Sequence, residues 1–193
     1  GIPSYRLPNH VLDQEIGDIL ALGVEMKTNQ RMGRDYQIET LRSQGYDAVF
    51  LSFGAMIGKP AGIPGEDAPG VMPAVNFLAR VNWGERVDLG QRVVVVGGGF
   101  TAADAVRTAR REGATEVTMM YRRTRKEMTA AAHEVHECEV EGVTFDFLAA
   151  PVSIVVEGGR ATGIMAQRMQ LGEPDASGRR RPVPVPGSDY FTP

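Results

Sequence analysis

The sequence has one cysteine, Cys138, in 193 residues, which excludes an intrachain disulfide framework and makes a reducing cytoplasm the expected compartment. No charged-then-apolar leader opens the chain, in line with that expectation. No apolar run approaches the roughly 20 residues that a bilayer-crossing helix needs, so a membrane is not an expected partner. A basic surplus is also lacking: 21 Lys plus Arg stand against 24 Asp plus Glu, a net charge of -3. Binding a phosphate backbone calls for the opposite balance, so nucleic acid is not an expected partner either. What remains is an ordinary globular composition, 42% apolar and 23% charged, long enough for one domain or for one domain and part of another.

Apolar periodicity and turn residues divide the chain. Leu12, Ile16, Ile19 and Leu20 fall at helical spacing before Gly23, which predicts a helix from His10 to Leu22. A short strand is expected at Val24–Lys27, a short helix at Ile38–Ser43, and a largely buried strand at Asp47–Phe53. Glycine and proline then recur too often from Gly54 to Gly70 for either element to persist, so a crossover between two structural units is expected there. Beyond it the pattern predicts a helix around Val75–Val81 and a strand at Arg92–Val96 that opens the second unit. A helix at Ala130–Glu141 and strands at Val143–Leu148, Val152–Val156 and Ala161–Gln170 follow. A loop is expected at Gly172–Arg181, and Pro182, Pro184 and Pro186 confine the tail to an edge or extended segment.

The run VVVVGGGFTAADAVRTARR places a β-branched strand directly before Gly97, Gly98 and Gly99, with Ala102 completing G-x-G-x-x-A spacing. Each small residue has a task. Gly97 permits a tight turn, Gly99 lets the backbone approach a pyrophosphate, and Ala102 lets the new helix sit close to the sheet. The helix start, with Phe100 and Thr101, then faces the phosphates with unpaired N–H groups. Ala102, Ala105, Val106 and Ala109 form one apolar stripe, while Arg107, Arg110 and Arg111 lie toward the negative end of the helix dipole.

An NAD site usually carries an acid about 20 residues further on, at the end of the next strand, to hold the ribose hydroxyls. Here the strand Glu116–Tyr121 leads into Arg122, Arg123, Arg125 and Lys126 instead. Guanidinium groups match phosphate oxygens, so the cofactor expected at this site is NADPH rather than NADH.

Several phrases together resemble the NADPH-dependent glutamate synthase small subunit family, which has a related domain in dihydropyrimidine dehydrogenase: GIPSYRLP, YDAVFLSFGA, IPGED, VVVVGGGFTAADA, MMYRRTRKEM and GRRRPVPVPGS. The resemblance implies a Rossmann-like α/β domain within a two-dinucleotide-binding-domain flavoprotein, in which hydride passes from NADPH to FAD and on to iron-sulfur clusters. It further implies that Gly97, Gly98, Gly99, Phe100, Thr101 and Ala102 form the pyrophosphate loop, and that Arg122 with Arg123 or Arg125 forms the 2′-phosphate site. Phe100 stands where the family commonly has a polar residue. The family's flavin G-x-G-x-x-G and its cysteine-rich segment have no counterpart in this sequence. The expected organisation is therefore a flavin-domain remnant at 1–57, a linker and helix at 58–90, the NADP(H)-binding domain at 91–178, and a return segment toward the flavin domain at 179–193, with a C-terminal β-hairpin region. The stretch resembles the middle of a longer enzyme; alone it is expected to bind no FAD and to be inactive. A flavin domain and an electron-acceptor subunit or domain are the implied partners, and the apolar strand Ala48–Leu51 could pair with a second copy. The competing expectation is a non-catalytic NADP(H)-binding or interaction module.

Three other clusters are read as structural. His133, His136 and Cys138 do not share one helix face, so no metal is expected and a solvated acidic face is. Arg179–Arg181 reads as an exposed hairpin arm. Asp104 and Glu134 are not needed as proton donors, because hydride transfer depends on orientation, and no catalytic residue is assigned.

Overall fold

The valines Val93–Val95 favour a strand covered on both faces, while Val96 at its end is half exposed. The computed structural model, which describes residues 2–193, covers both. Strand β1 (Arg92–Val96) pairs in parallel with β2 (Glu116–Tyr121), and β2 with β3 (Thr144–Phe147), giving the order β1-β2-β3. Helix α4 (Phe100–Arg111) connects the first pair and α5 (Ala132–Val140) the second. On one face Val93, Val95, Val117 and Met119 pack with α3 (Ala74–Asn82), α4 and α5; on the other, Val94 and Met120 meet Ala149, Ile164 and Ala166. The side chains thus alternate between two cores, as strand geometry requires. The expected stripe Ala102, Ala105, Val106 and Ala109 is buried in the first core.

The second core is closed by an antiparallel sheet. Strand β4 (Ala149–Glu157) turns through Gly158 and Gly159, both at positive φ, into β5 (Arg160–Pro174). The first half of β5 also pairs with β7 (Tyr190–Thr192), and the second half pairs with β6 (Arg180–Pro184), the expected edge segment, which carries Pro182 and Pro184. The expected loop at Gly172–Arg181 is shorter, because both strands continue into it and leave only Asp175–Arg179 as the turn. The crossover segment lies along this sheet, with the Ile154 N–H donating to Pro64 O at 2.8 Å and the Ala161 N–H to Pro69 O at 2.8 Å.

The chain forms two compact units, Ser4–Met56 and Ile57–Pro193, the latter joined by Ile2 and Pro3. In Ser4–Met56 the expected helices are present as α1 (Asn9–Ala21), closed by Gly23 at φ +90°, and α2 (Ile38–Ser43). The expected strands Val24–Lys27 and Asp47–Phe53 are not formed. A strand exists only through ladder hydrogen bonds, and neither stretch has a pairing partner among the described residues. Nor is the second stretch buried: Phe50 is 91% exposed and Phe53 67%. We expect Met119→Ala, which opens a hole between strand and helices, to lower unfolding free energy by about 2–5 kcal/mol. Phe50→Ser should change it by less than about 0.5 kcal/mol. Comparable losses in denaturant titrations of the two variants would contradict this division into core and uncovered segment.

Candidate functional site

Strand β1 delivers the chain into three consecutive glycines. Gly97 adopts φ +151°, donates its N–H to Met120 O at 3.0 Å, and has room for a Cβ only 3.1 Å from that of Ala102. Gly99 is the extended residue that starts α4, and no side chain caps the helix there. The first-turn N–H groups therefore lack side-chain partners at the positive end of the helix dipole, an arrangement suited to an anion. Phe100 and Thr101 border this helix start, both exposed.

Gly98 has a different task from its neighbours. It is buried, and a Cβ there would stand 2.6 Å from the ring of Tyr121. In a G-x-G fingerprint this middle position is nominally free; here the ring at the end of β2 requires glycine. The Tyr121 hydroxyl in turn donates to Glu127 O at 2.8 Å. The segment after that residue closes back on the glycines: Thr129 and Ala130 N–H groups donate to Gly98 O at 3.0 and 3.2 Å.

The basic stretch is thus a folded turn rather than a solvated loop. A 3-10 turn, Arg125–Glu127, is clasped by the buried Glu127 carboxylate, which accepts from the Thr124 N–H at 3.1 Å and from the Thr124 hydroxyl. That hydroxyl contact holds the Glu127 carboxyl below the usual glutamate range. The three arginines are placed differently. Arg122 is exposed and makes no hydrogen bond or ion pair to another described residue. Arg123 is only 5% exposed, and its guanidinium donates to Arg180 O and to Asp175, both at 2.7 Å. Its donors tie the end of β2 to the β5–β6 hairpin. Arg125 pairs with Glu139 on α5, which raises its pKa, and lies over the stacked rings of Phe145 and Phe147 at 5.7 and 6.0 Å. Lys126 is exposed between two shallow depressions of about 310 and 360 Å³, the first floored by Met128 and Val135, the second walled by Arg179 and Arg180.

Spacing alone identified the glycine turn and the basic run but missed Tyr121, Glu127 and Thr129. The T-x-x-E spacing of Thr124 and Glu127 is a capping-box signal that could have revealed the clasp; nothing local marks Tyr121 as the partner of Gly98. The acidic face of α5 also differs from expectation. Glu134 is buried, and Glu134, Glu137 and Glu141 surround the buried Arg107 of α4 at 3.5, 3.4 and 2.8 Å, so the face is a helix–helix contact. Cys138 is wholly buried, and no group of three or more His, Cys, Asp or Glu among the described residues could hold a metal.

With this geometry in hand, residues 13–174 match the family model of the pyridine nucleotide-disulphide oxidoreductases. The chain belongs to this family. It is 48% identical over 194 residues to NADPH-Fe(3+) oxidoreductase subunit beta of Geobacter sulfurreducens, an alignment covering 98% of this chain and 29% of that protein. It is 41% identical over 205 residues to the glutamate synthase [NADPH] small chain of Escherichia coli, covering 100% of this chain and 43% of that one. The resemblance carried by the phrases is thereby borne out, and the chain spans less than half the length of these two relatives. FprA of Mycobacterium tuberculosis, solved in complex with NADPH, has the same fold at a TM-score of 0.73 with 22% identity, over 96% of this chain and 57% of that one. This fits the expected α/β flavoprotein-reductase fold.

The contrast between neighbouring arginines can be checked directly. Arg123→Ala removes the donor of Asp175 Oδ2 and of Arg180 O and is expected to lower stability by about 1.5–3 kcal/mol. Arg122→Ala should leave it within about 0.5 kcal/mol. Equal thermal midpoints for the two variants would contradict the tether.

Proposed function

We propose that this chain is the NADPH-binding part of a flavin-dependent oxidoreductase resembling the glutamate synthase small subunit. In that enzyme hydride passes from NADPH to FAD and on to iron-sulfur clusters. One observation carries the reading: an uncapped helix start behind Gly97–Gly99 is combined with an exposed, uncommitted Arg122 at the end of the next strand. The N–H groups at Phe100, Thr101 and Ala102 take the pyrophosphate. Arg122 takes the 2′-phosphate, Arg125 and Lys126 add positive charge around it, and Arg123 holds the turn in place. The nicotinamide carries the chemistry; the chain binds and orients it and supplies no catalytic residue. The two relatives, NADPH-Fe(3+) oxidoreductase subunit beta and the glutamate synthase [NADPH] small chain, support this choice of cofactor.

The same test gives a different answer for flavin. Ser4–Met56 contains helices α1 and α2 but no strand running into a glycine turn, so the residues present do not fit the pyrophosphate of FAD. In this proposal the flavin is held by residues outside this chain, the 4–56 stretch is a remnant of the flavin domain, and its partners are that domain and an electron acceptor. The exposed Phe50 and Phe53 favour association of this stretch with another chain, a second copy included. The wholly buried Cys138 thiol suits a reducing cytoplasm. A non-catalytic NADP(H)-binding module would use the same residues, and a flavin spectrum from the longer protein separates the two readings.

Arg122→Ala is expected to weaken NADPH binding about tenfold or more, the worth of one charge-assisted hydrogen bond, while NADH binding changes less than about twofold. Equal losses for both cofactors in fluorescence titrations would contradict the assignment of Arg122 to the 2′-phosphate.

A further inference from the structure

We infer that Tyr121 sets the preference for NADPH over NADH without touching the cofactor, its ring holding the glycine turn and its hydroxyl holding the basic turn. The inference rests on the cofactor reading above and assigns a positioning role within it. The ring stands 2.6 Å from where a Cβ of Gly98 would be, so it fixes the backbone that presents the first-turn N–H groups. The hydroxyl, through its 2.8 Å bond to Glu127 O, fixes the far end of the turn that carries Arg125 and Lys126. Arg122 lies between two anchors: Tyr121 on one side, and on the other Arg123, which is bonded to Asp175 and Arg180 O. A long, exposed arginine binds well when its backbone is already ordered, because less freedom is then lost on contact. The backbone around Arg122 is ordered through one side chain that serves both halves of the site.

The two ends of Tyr121 therefore have separable effects. Without the hydroxyl, the ring still supports Gly98, but the Glu127 carbonyl loses its donor and the basic turn loosens. A Cβ at Gly98 would instead displace the ring and disturb both turns together. Thr124, which clasps the same turn through Glu127 at 3.1 Å from its N–H and through its hydroxyl, offers a second way to loosen the basic turn alone.

The test is titration of NADPH and NADH into the full chain and into Tyr121→Phe, Thr124→Val, Gly98→Ala and Arg122→Ala, with thermal midpoints measured in parallel. Tyr121→Phe should weaken NADPH binding about three- to tenfold, the range for loss of one neutral hydrogen bond, and leave NADH binding within about twofold. Thr124→Val should show the same selective loss, and decides the matter alone if Tyr121→Phe does not fold. Gly98→Ala should weaken both cofactors, NADPH more than NADH, whereas Arg122→Ala leaves NADH binding nearly unchanged. If Tyr121→Phe and Thr124→Val leave the NADPH-to-NADH ratio unchanged while Arg122→Ala lowers it, the cofactor reading stands and the role of Tyr121 is overturned. An unmodified chain that binds NADPH no better than NADH overturns both.

Discussion

The Tyr121 ring rests against Gly98 where any larger residue would place its Cβ, and the geometry of the candidate site follows from that contact. It fixes the middle of the glycine turn from the side of β2, so that turn and strand end cannot move independently. The return bonds from Thr129 and Ala130 to Gly98 O close a loop of contacts around the Arg125–Glu127 turn. The helix start and the basic turn are thus presented by one braced piece of backbone. Two exposed features, the first-turn N–H groups and Arg122, are held in place by buried ones.

Residues of like type are placed differently in the fold. Arg107 and Arg123 are buried and surrounded by acceptors, whereas Arg122 projects from the same basic run into solvent. Removing one partner of a buried ion pair leaves the other uncompensated, so the buried arginines belong to the scaffold. A comparable cluster joins the sheets, where Arg168 and the Tyr190 hydroxyl both meet Asp146 and the guanidinium lies 4.1 Å over the Tyr190 ring. The candidate site sits on two sheets cross-linked in this way, which limits how far its turns can shift.

Much of this was legible in the sequence because β1, α4 and β2 make their own local statement: a β-branched run, three glycines, an alanine stripe and then a second strand. The bounds Arg92–Val96 and Glu116–Tyr121 agree with expectation for that reason. The failures have physical causes. Asp47–Phe53 has strand composition, but a strand needs a partner, and none of the described residues pairs with it. Gly172–Arg181 has loop composition, yet edge pairing with β5 extends the strand into it. The basic run reads as a set of equivalent arginines, because spacing does not reveal that Asp175, over 50 residues away, takes the guanidinium of Arg123. Tyr121 was missed for the same reason: its meaning lies in a glycine on another strand end.

Family membership and the glycine turn belong to this chain, which spans less than half the length of the two relatives named. Amide hydrogen exchange with and without saturating NADPH tests most directly whether one braced unit receives the cofactor. The account predicts that Gly98–Ala103 and Thr124–Ala130 become protected together, and that NADH at equal occupancy protects the first segment more than the second. Protection of the glycine segment by NADPH with no change across Thr124–Ala130 would contradict it.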